Sequence, residues 1–220
     1  MELAPLVLSF QIAALATLVS AVVGVGLATL LANTRLPGRD LLDVLVTAPL
    51  VMPPTVLGYY LLVSLGRRGV VGRVFEAVFG SSIVFTRTGA VVAATVGALP
   101  LVVKSGRAAL EGVEPTLMRA ARTLGAGPVR GFLTVQLPLA GRGIVAALML
   151  AFARSLGDFG ITLMVAGDIP GETQTASLAI YDAIQSHRER AAFFMATTLA
   201  ATALAILYGV NKLSARARDE

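Results

Sequence analysis

Residues 111–143 read EGVEPTLMRAARTLGAGPVRGFLTVQLPLAGRG. Pro115 suits the first position of a helix, and the acidic Glu114 before it suits a helix N-terminus. Leu117, Ala120, Ala121 and Leu124 recur at i, i+3, i+4 and i+7, so they share one apolar face, while Arg119 and Arg122 point elsewhere. Gly125 and Gly127 can stop that helix in left-handed backbone geometry. Pro128 can open a second short helix with Val129, Phe132 and Leu133 on its apolar side, and Pro138 is expected to end it. On physical grounds two uses of such an amphipathic helix stay open: docking in a groove on another protein, or lying in a lipid interface.

On both sides of this basic stretch the chain turns apolar. Hydrophobic residues make up 56% of the sequence and charged ones 14%, with a mean hydropathy of +0.80. Soluble domains carry roughly 25% charge, so lipid is the natural solvent of this chain. Five apolar stretches stand out: Leu3 to Thr34, Val44 to Gly66, Thr88 to Val103, Gly143 to Ala166 and Ala191 to Asn211. A helix needs about 20 apolar residues to cross a bilayer. The third stretch is short, and Arg87 and Lys104 are expected to snorkel outward from its ends. The fold class expected is all-α, one polytopic membrane domain over residues 1–220 with about five to six transmembrane helices. A sixth, weakly apolar or re-entrant segment would fall within Val70 to Phe85.

Lysine and arginine in the loops set orientation. With the N-terminus outside, eleven of the eighteen lysines and arginines fall inside, Arg35 and Arg218 among them, and six outside. Arg154 is intramembrane. That places the stretch quoted above, and the C-terminus, in the cytoplasm.

Within the second stretch, Pro49, Pro53 and Pro54 remove backbone donors and predict a kink or break. A broken helix at membrane depth survives only where protein or a watery cavity covers the freed groups, so Pro53 and Pro54 are candidates for a translocation path. Arg154 and Asp158, four apart in the fourth stretch, can pair on one helix face and are candidates for the same path, or secure packing only. Small residues every four positions (Ala16, Ser20, Gly24, Ala28 and Ala32) predict close helix packing on the first span.

Several chemistries are excluded. With no cysteine and the single histidine His187, neither a thiolate nor a multi-histidine metal site can form. His187 reads as a solvated loop residue. GRRGVVGR at 66–73 is not a nucleotide-binding glycine loop. The scattered basic residues lack interleaved aromatics, which argues against nucleic-acid binding. No catalytic residue, metal site or cofactor is expected.

The stretch Arg119-Ala120-Ala121, then Gly125, then Val135-Gln136-Leu137-Pro138 resembles the EAA motif of ABC importer permeases. That motif reads E-A-A, three residues, G, nine residues, I-x-L-P, and both spacings are met. Arg119 stands where the family has glutamate and Val135 where it has isoleucine. The runs at 47–69, 109–127, 152–160 and 169–175 are similar to molybdate permeases within this family. The resemblance implies a type I ABC importer permease fold and a homodimer of permease chains in the cytoplasmic (inner) membrane. It also implies two cytoplasmic ATPase subunits docked on a coupling loop at residues 107–141, and an extracytoplasmic protein that delivers the oxyanion. Molybdate or tungstate is then the expected substrate, with sulfate as an alternative; a self-contained secondary transporter or channel is the rival class. Leu117, Arg119, Ala120, Ala121, Leu124, Gly125, Leu137 and Pro138 are the coupling residues so implied. The 169–175 segment, IPGETQT, is read as an outer loop that touches the delivery protein, folds inward as a gate, or is simply exposed.

Overall fold

A chain this apolar can hide its backbone from lipid only by closing every hydrogen bond within helices. The computed structural model describes residues 3–33 and 37–216; Thr34, Arg35 and Arg218, used in the sequence reading, lie outside them. The helices are α1 (Leu3–Asn33), α2 (Arg39–Val51), α3 (Pro54–Leu65), α4 (Val70–Phe79), α5 (Arg87–Glu111), α6 (Pro115–Thr123) and α7 (Pro128–Gly131). A π turn (Phe132–Gln136) follows and runs directly into α8 (Leu137–Leu156), then α9 (Gly160–Ala166), α10 (Ala176–Gln185) and α11 (Glu189–Arg216). No strand occurs among the described residues.

The directions of the long helices follow from which residues meet. Leu8, Ile12 and Ala16 cluster with Ala90 and Ala94, while Ala28 clusters with Leu110, so α1 and α5 run parallel. The small-residue face of α1 makes this approach possible. A Cβ added at Gly24 would lie 2.8 Å from Val102 Cγ1, and one at Gly106 would lie 3.4 Å from Ala28 Cβ. In lipid, where no hydrophobic drive brings helices together, such close backbone packing is what holds a pair.

Two parallel helices need a return between them, and α2 with α3 supplies it. Asp43 of α2 accepts from Lys104 Nζ at 2.9 Å, and Arg39 pairs with Glu111 at 3.2 Å, so α2 starts beside the end of α5. Leu57 and Leu65 cluster with Ile83, Val84 and Ala93, so α3 ends beside the start of α5. The pair traverses the length of α5 although it is bent by 117°. The bend falls at Met52 and Pro53. Pro49 is accommodated inside α2, whereas Pro54 opens α3 as its first residue.

Next, α8 runs back against α5. A Cβ added at Gly143 would lie 2.6 Å from Ala109 Cβ, and Ala151 clusters with Ala98 and Val102. The last helix, α11, begins near Leu6 and α10, through Ala191, Ala192 and Met195. Its Gly209 reaches α8 at Met149. With the bent pair α2–α3 taken as one span, the described residues make five passes, and the start of α1 and the end of α11 lie at opposite ends of the bundle. A ten-residue helix is only about 15 Å long, so α4 is not a sixth span.

Two expectations about the spans need correcting. The third is not short: α5 has 25 residues, and Lys104 lies inside it, paired with Asp43 rather than snorkelling from the end. Arg87 does sit at the end of α5, but it donates to the Gly171 and Glu172 carbonyls at 3.1 Å each. It thereby ties down the 169–175 segment, where Thr173 is fully buried. The fourth stretch is interrupted at Gly157–Phe159, between α8 and α9. His187 is exposed, with φ +56° in the turn after α10.

Candidate functional site

At the end of the bundle shared by Glu111 and the α8 N-terminus, α6 is fixed by how it stops. Gly125 has φ +83°, its N–H donates to Arg122 O at 3.0 Å, and the Ala126 N–H donates to Ala121 O at 3.0 Å. These are the two bonds of a Schellman cap, which satisfies carbonyls that would otherwise be orphaned and gives the exit from α6 one direction. Leu117, Ala120, Ala121 and Leu124 then line one open hollow of about 390 Å³ with Ala126, Arg130, Thr134 and Val135. Ala121 is buried at its floor, whereas Leu124 is 88% exposed at its rim. Nothing among the described residues covers that leucine.

Pro138 does not end the second helix, contrary to the sequence reading. It lies in the first turn of α8, and the helix passes through it because the preceding π turn changes register: the Leu137 N–H donates to Phe132 O, five residues back. A wider turn accommodates a residue that has no N–H to give. Residues 128–136 are therefore an extension of the fourth span, and only α6 stands off it. Leu137 packs into the cluster of Ala28, Leu110 and Ile144. Pro138 borders a second hollow of about 540 Å³ together with Leu117, Glu114 and Arg142.

Gln136 was missed by sequence reasoning. It is 7% exposed, and its amide donates to the Leu110 carbonyl at 3.3 Å, stitching the π turn to the end of α5. A buried polar side chain with a bonded amide fixes position where apolar packing would slide. The only signal was a glutamine inside an otherwise apolar run.

A second cluster forms where the two broken spans meet. A Cβ added at Gly160 would lie 2.9 Å from Pro54 Cβ, and one at Gly58 would lie 2.8 Å from Met164 Cβ and 3.2 Å from the Gly160 carbonyl. So α3 and α9 pack backbone to backbone at their breaks. Asp158 is not on the same helix as Arg154, as expected from spacing, but in the break after α8. It is 3% exposed, pairs with Arg154 at 3.3 Å through Oδ1, and accepts from the Thr162 N–H at 2.9 Å and hydroxyl at 2.6 Å through Oδ2. One carboxylate therefore caps the first turn of α9 and holds a cation whose side chain is 35% exposed. Gly97 of α5 leaves the room: a Cβ there would meet Ile161 Cδ1 at 3.0 Å and Arg154 Nη2 at 3.8 Å. Of the four path candidates, Pro53, Pro54 and Asp158 sit at the two breaks, with Arg154 beside the second. Among the described residues no group of His, Cys, Asp and Glu could hold a metal ion.

Comparison with known proteins agrees with this architecture. The family described as binding-protein-dependent transport system inner membrane component matches residues 4–219. The chain is 49% identical over 179 residues to the molybdenum transport system permease protein ModB of Escherichia coli K12, covering 81% of this chain and 78% of that one. It is 36% identical to ModB of Azotobacter vinelandii, covering 95% and 92%. The sulfate transport system permease protein CysT of Escherichia coli K12 is 34% identical, covering 91% and 72%. Among solved structures, a bacterial alginate ABC transporter crystallised with its alginate-bound periplasmic protein superposes with a TM-score of 0.75 at 18% identity, covering 97% of this chain and 78% of that one. The MetNI methionine ABC transporter in an inward-facing conformation gives 0.70 at 19%, covering 96% and 93%. With the family matched from end to end and relatives this similar, the chain belongs to the binding-protein-dependent transport system inner membrane components, the permeases of ABC importers.

Proposed function

We propose that this permease conducts molybdate, with tungstate as its chemical near-equivalent, and that it works as a homodimer in the cytoplasmic (inner) membrane. The observation that carries the substrate is the 49% identity to a molybdenum permease, against 34% for a sulfate permease of the same family. The sulfate reading stays as the second choice for the same reason. In the proposed complex two ATPase subunits dock on the capped α6 and the π turn, one per chain, and an extracytoplasmic protein delivers the oxyanion at the other end. The end of α11, on the same side of the bundle as α6, then faces the cytoplasm.

Transport needs a path that opens alternately to the two sides, and the adjacent breaks at Pro53–Pro54 and Gly157–Phe159 are its natural joints. Arg154 is the cation beside the break in the fourth span, held in place by Asp158 and a third exposed. It is suited to meet a passing dianion, whose charge would otherwise be costly to bring into a low-dielectric environment. ATP supplies the energy through the partner, since the chain has no phosphate-binding glycine loop.

The test is uptake of radiolabelled molybdate in cells lacking their own molybdate permease, supplied with this chain and its ATPase and binding protein. Uptake is expected to be displaced by tungstate at far lower excess than by sulfate. Displacement by sulfate at least as effective as by tungstate would transfer the assignment to the sulfate importers.

A further inference from the structure

We infer that the surface docking on α6 and the π turn is an acidic groove carrying an apolar knob. The inference rests on the docking reading above and adds the chemistry of the partner. Between residues 115 and 143 the chain holds four arginines and no aspartate or glutamate. Arg119, Arg122 and Arg130 are all exposed, and none of them forms an ion pair among the described residues. Among the described residues, Glu111 borders the same small hollow as Arg119 and Arg122, and the exposed Glu114, at the N-cap of α6, pairs with neither. Glu111 is already engaged by Arg39 at 3.2 Å and Arg107 at 2.8 Å. The charges of Arg119, Arg122 and Arg130 are therefore not neutralised from within the described residues.

Arg130 stands beside the hollow whose rim carries Leu124 and Leu117. Exposed apolar side chains next to unpaired cations call for a partner that fills the hollow and supplies carboxylates around it. Anionic headgroups at the cytoplasmic leaflet would satisfy the charge alone. A headgroup layer does not fill a walled hollow, and it gains nothing from a helix whose exit is fixed by a Schellman cap. The protein groove is the occupant that uses all three features.

The experiment measures the dissociation constant of detergent-solubilised permease for its purified ATPase across salt. It compares wild type, Arg119→Glu/Arg122→Glu, the lysine double Arg119→Lys/Arg122→Lys, and Leu124→Ala. Wild-type binding is expected to weaken about tenfold between roughly 0.05 and 0.5 M NaCl as the Debye length shrinks. The glutamate double should bind about tenfold more weakly at low salt and lose the salt dependence, while the lysine double keeps it. Leu124→Ala should weaken binding at every salt and leave the slope unchanged. If Leu124→Ala weakens binding but the charge reversal and salt do nothing, docking stands and the acidic groove is wrong. If no variant changes affinity, the docking reading itself falls. Native mass spectrometry of retained phosphatidylglycerol covers the lipid outcome: loss of lipid on charge reversal, with ATPase affinity unchanged, overturns the inference.

Discussion

Replacing Gly125 by valine tests the coupling segment through its backbone alone. A Cβ added at Gly125 meets no atom within 4 Å, so the position is open to a side chain. The cost of valine comes from φ +83°, a conformation that disfavours L-residues by about 1–2 kcal/mol and β-branched ones most. The chain can pay that strain and keep the cap, or leave the left-handed region and lose both bonds of the Schellman cap. In the second case α6 swings away and Leu117 and Leu124 no longer flank the hollow. Strain kept in both free and docked chains cancels; where the free chain relaxes out of the cap, a docked state that requires it weakens by up to about 1–2 kcal/mol, a factor of roughly 5–30 in association. Asparagine tolerates the left-handed region, so Gly125→Asn should lose much less. The assay is ATPase capture by wild-type, valine and asparagine permeases in one detergent, with molybdate uptake beside it. Membrane expression should be near normal in all three, because the turn lies outside the spans. Equal capture and equal uptake for the valine variant would mean that this segment does not couple the permease to its ATPase.

Other consequences follow from the meeting of the two breaks and from the five-pass topology. Asp158→Ala removes the acceptor for Thr162 and the partner of Arg154. It should cost about 2–3 kcal/mol, below the 3–5 of a fully buried pair because the Arg154 side chain is 35% exposed; thermal unfolding in detergent measures it, and no loss would mean that the carboxylate caps nothing. Gly58→Val and Gly160→Val must push against Met164 and Pro54 and should lower the melting temperature, whereas Gly26→Ala, with nothing within 4 Å, should leave it unchanged. The chain has no native cysteine, so cysteines introduced singly at Ser81 and Thr123 can be labelled without background and should react from opposite sides of the membrane. Labelling from the same side would contradict the five-pass topology.

How much of this could be read from the residues varied with the kind of information each feature needs. The spans were legible because apolar length is a local property, and the stop at Gly125 because glycine after an apolar turn has few other uses. The small-residue face of α1 named itself as a packing surface, although its partner, α5, could not be known. What failed depended on neighbours. Pro138 looked like a terminator because proline in a helix usually is one; the π turn that lets the helix continue leaves no mark in composition. Arg154 and Asp158 were expected to pair, and they do, but i,i+4 spacing cannot tell a continuous helix from one that breaks at Gly157. Lys104 looked like the end of a span because its partner Asp43 is 61 positions away. Gln136 carried no periodic signal at all.

The central claim is that this chain is a path powered by a separate ATPase. Its most direct test is molybdate uptake by proteoliposomes assembled from purified parts. With the ATPase and ATP enclosed on the α6 side and the loaded binding protein on the other, uptake should be ATP-dependent. It should stop when the ATPase is omitted, whatever ion gradient is imposed. Gradient-driven uptake by vesicles containing this chain alone would contradict the account.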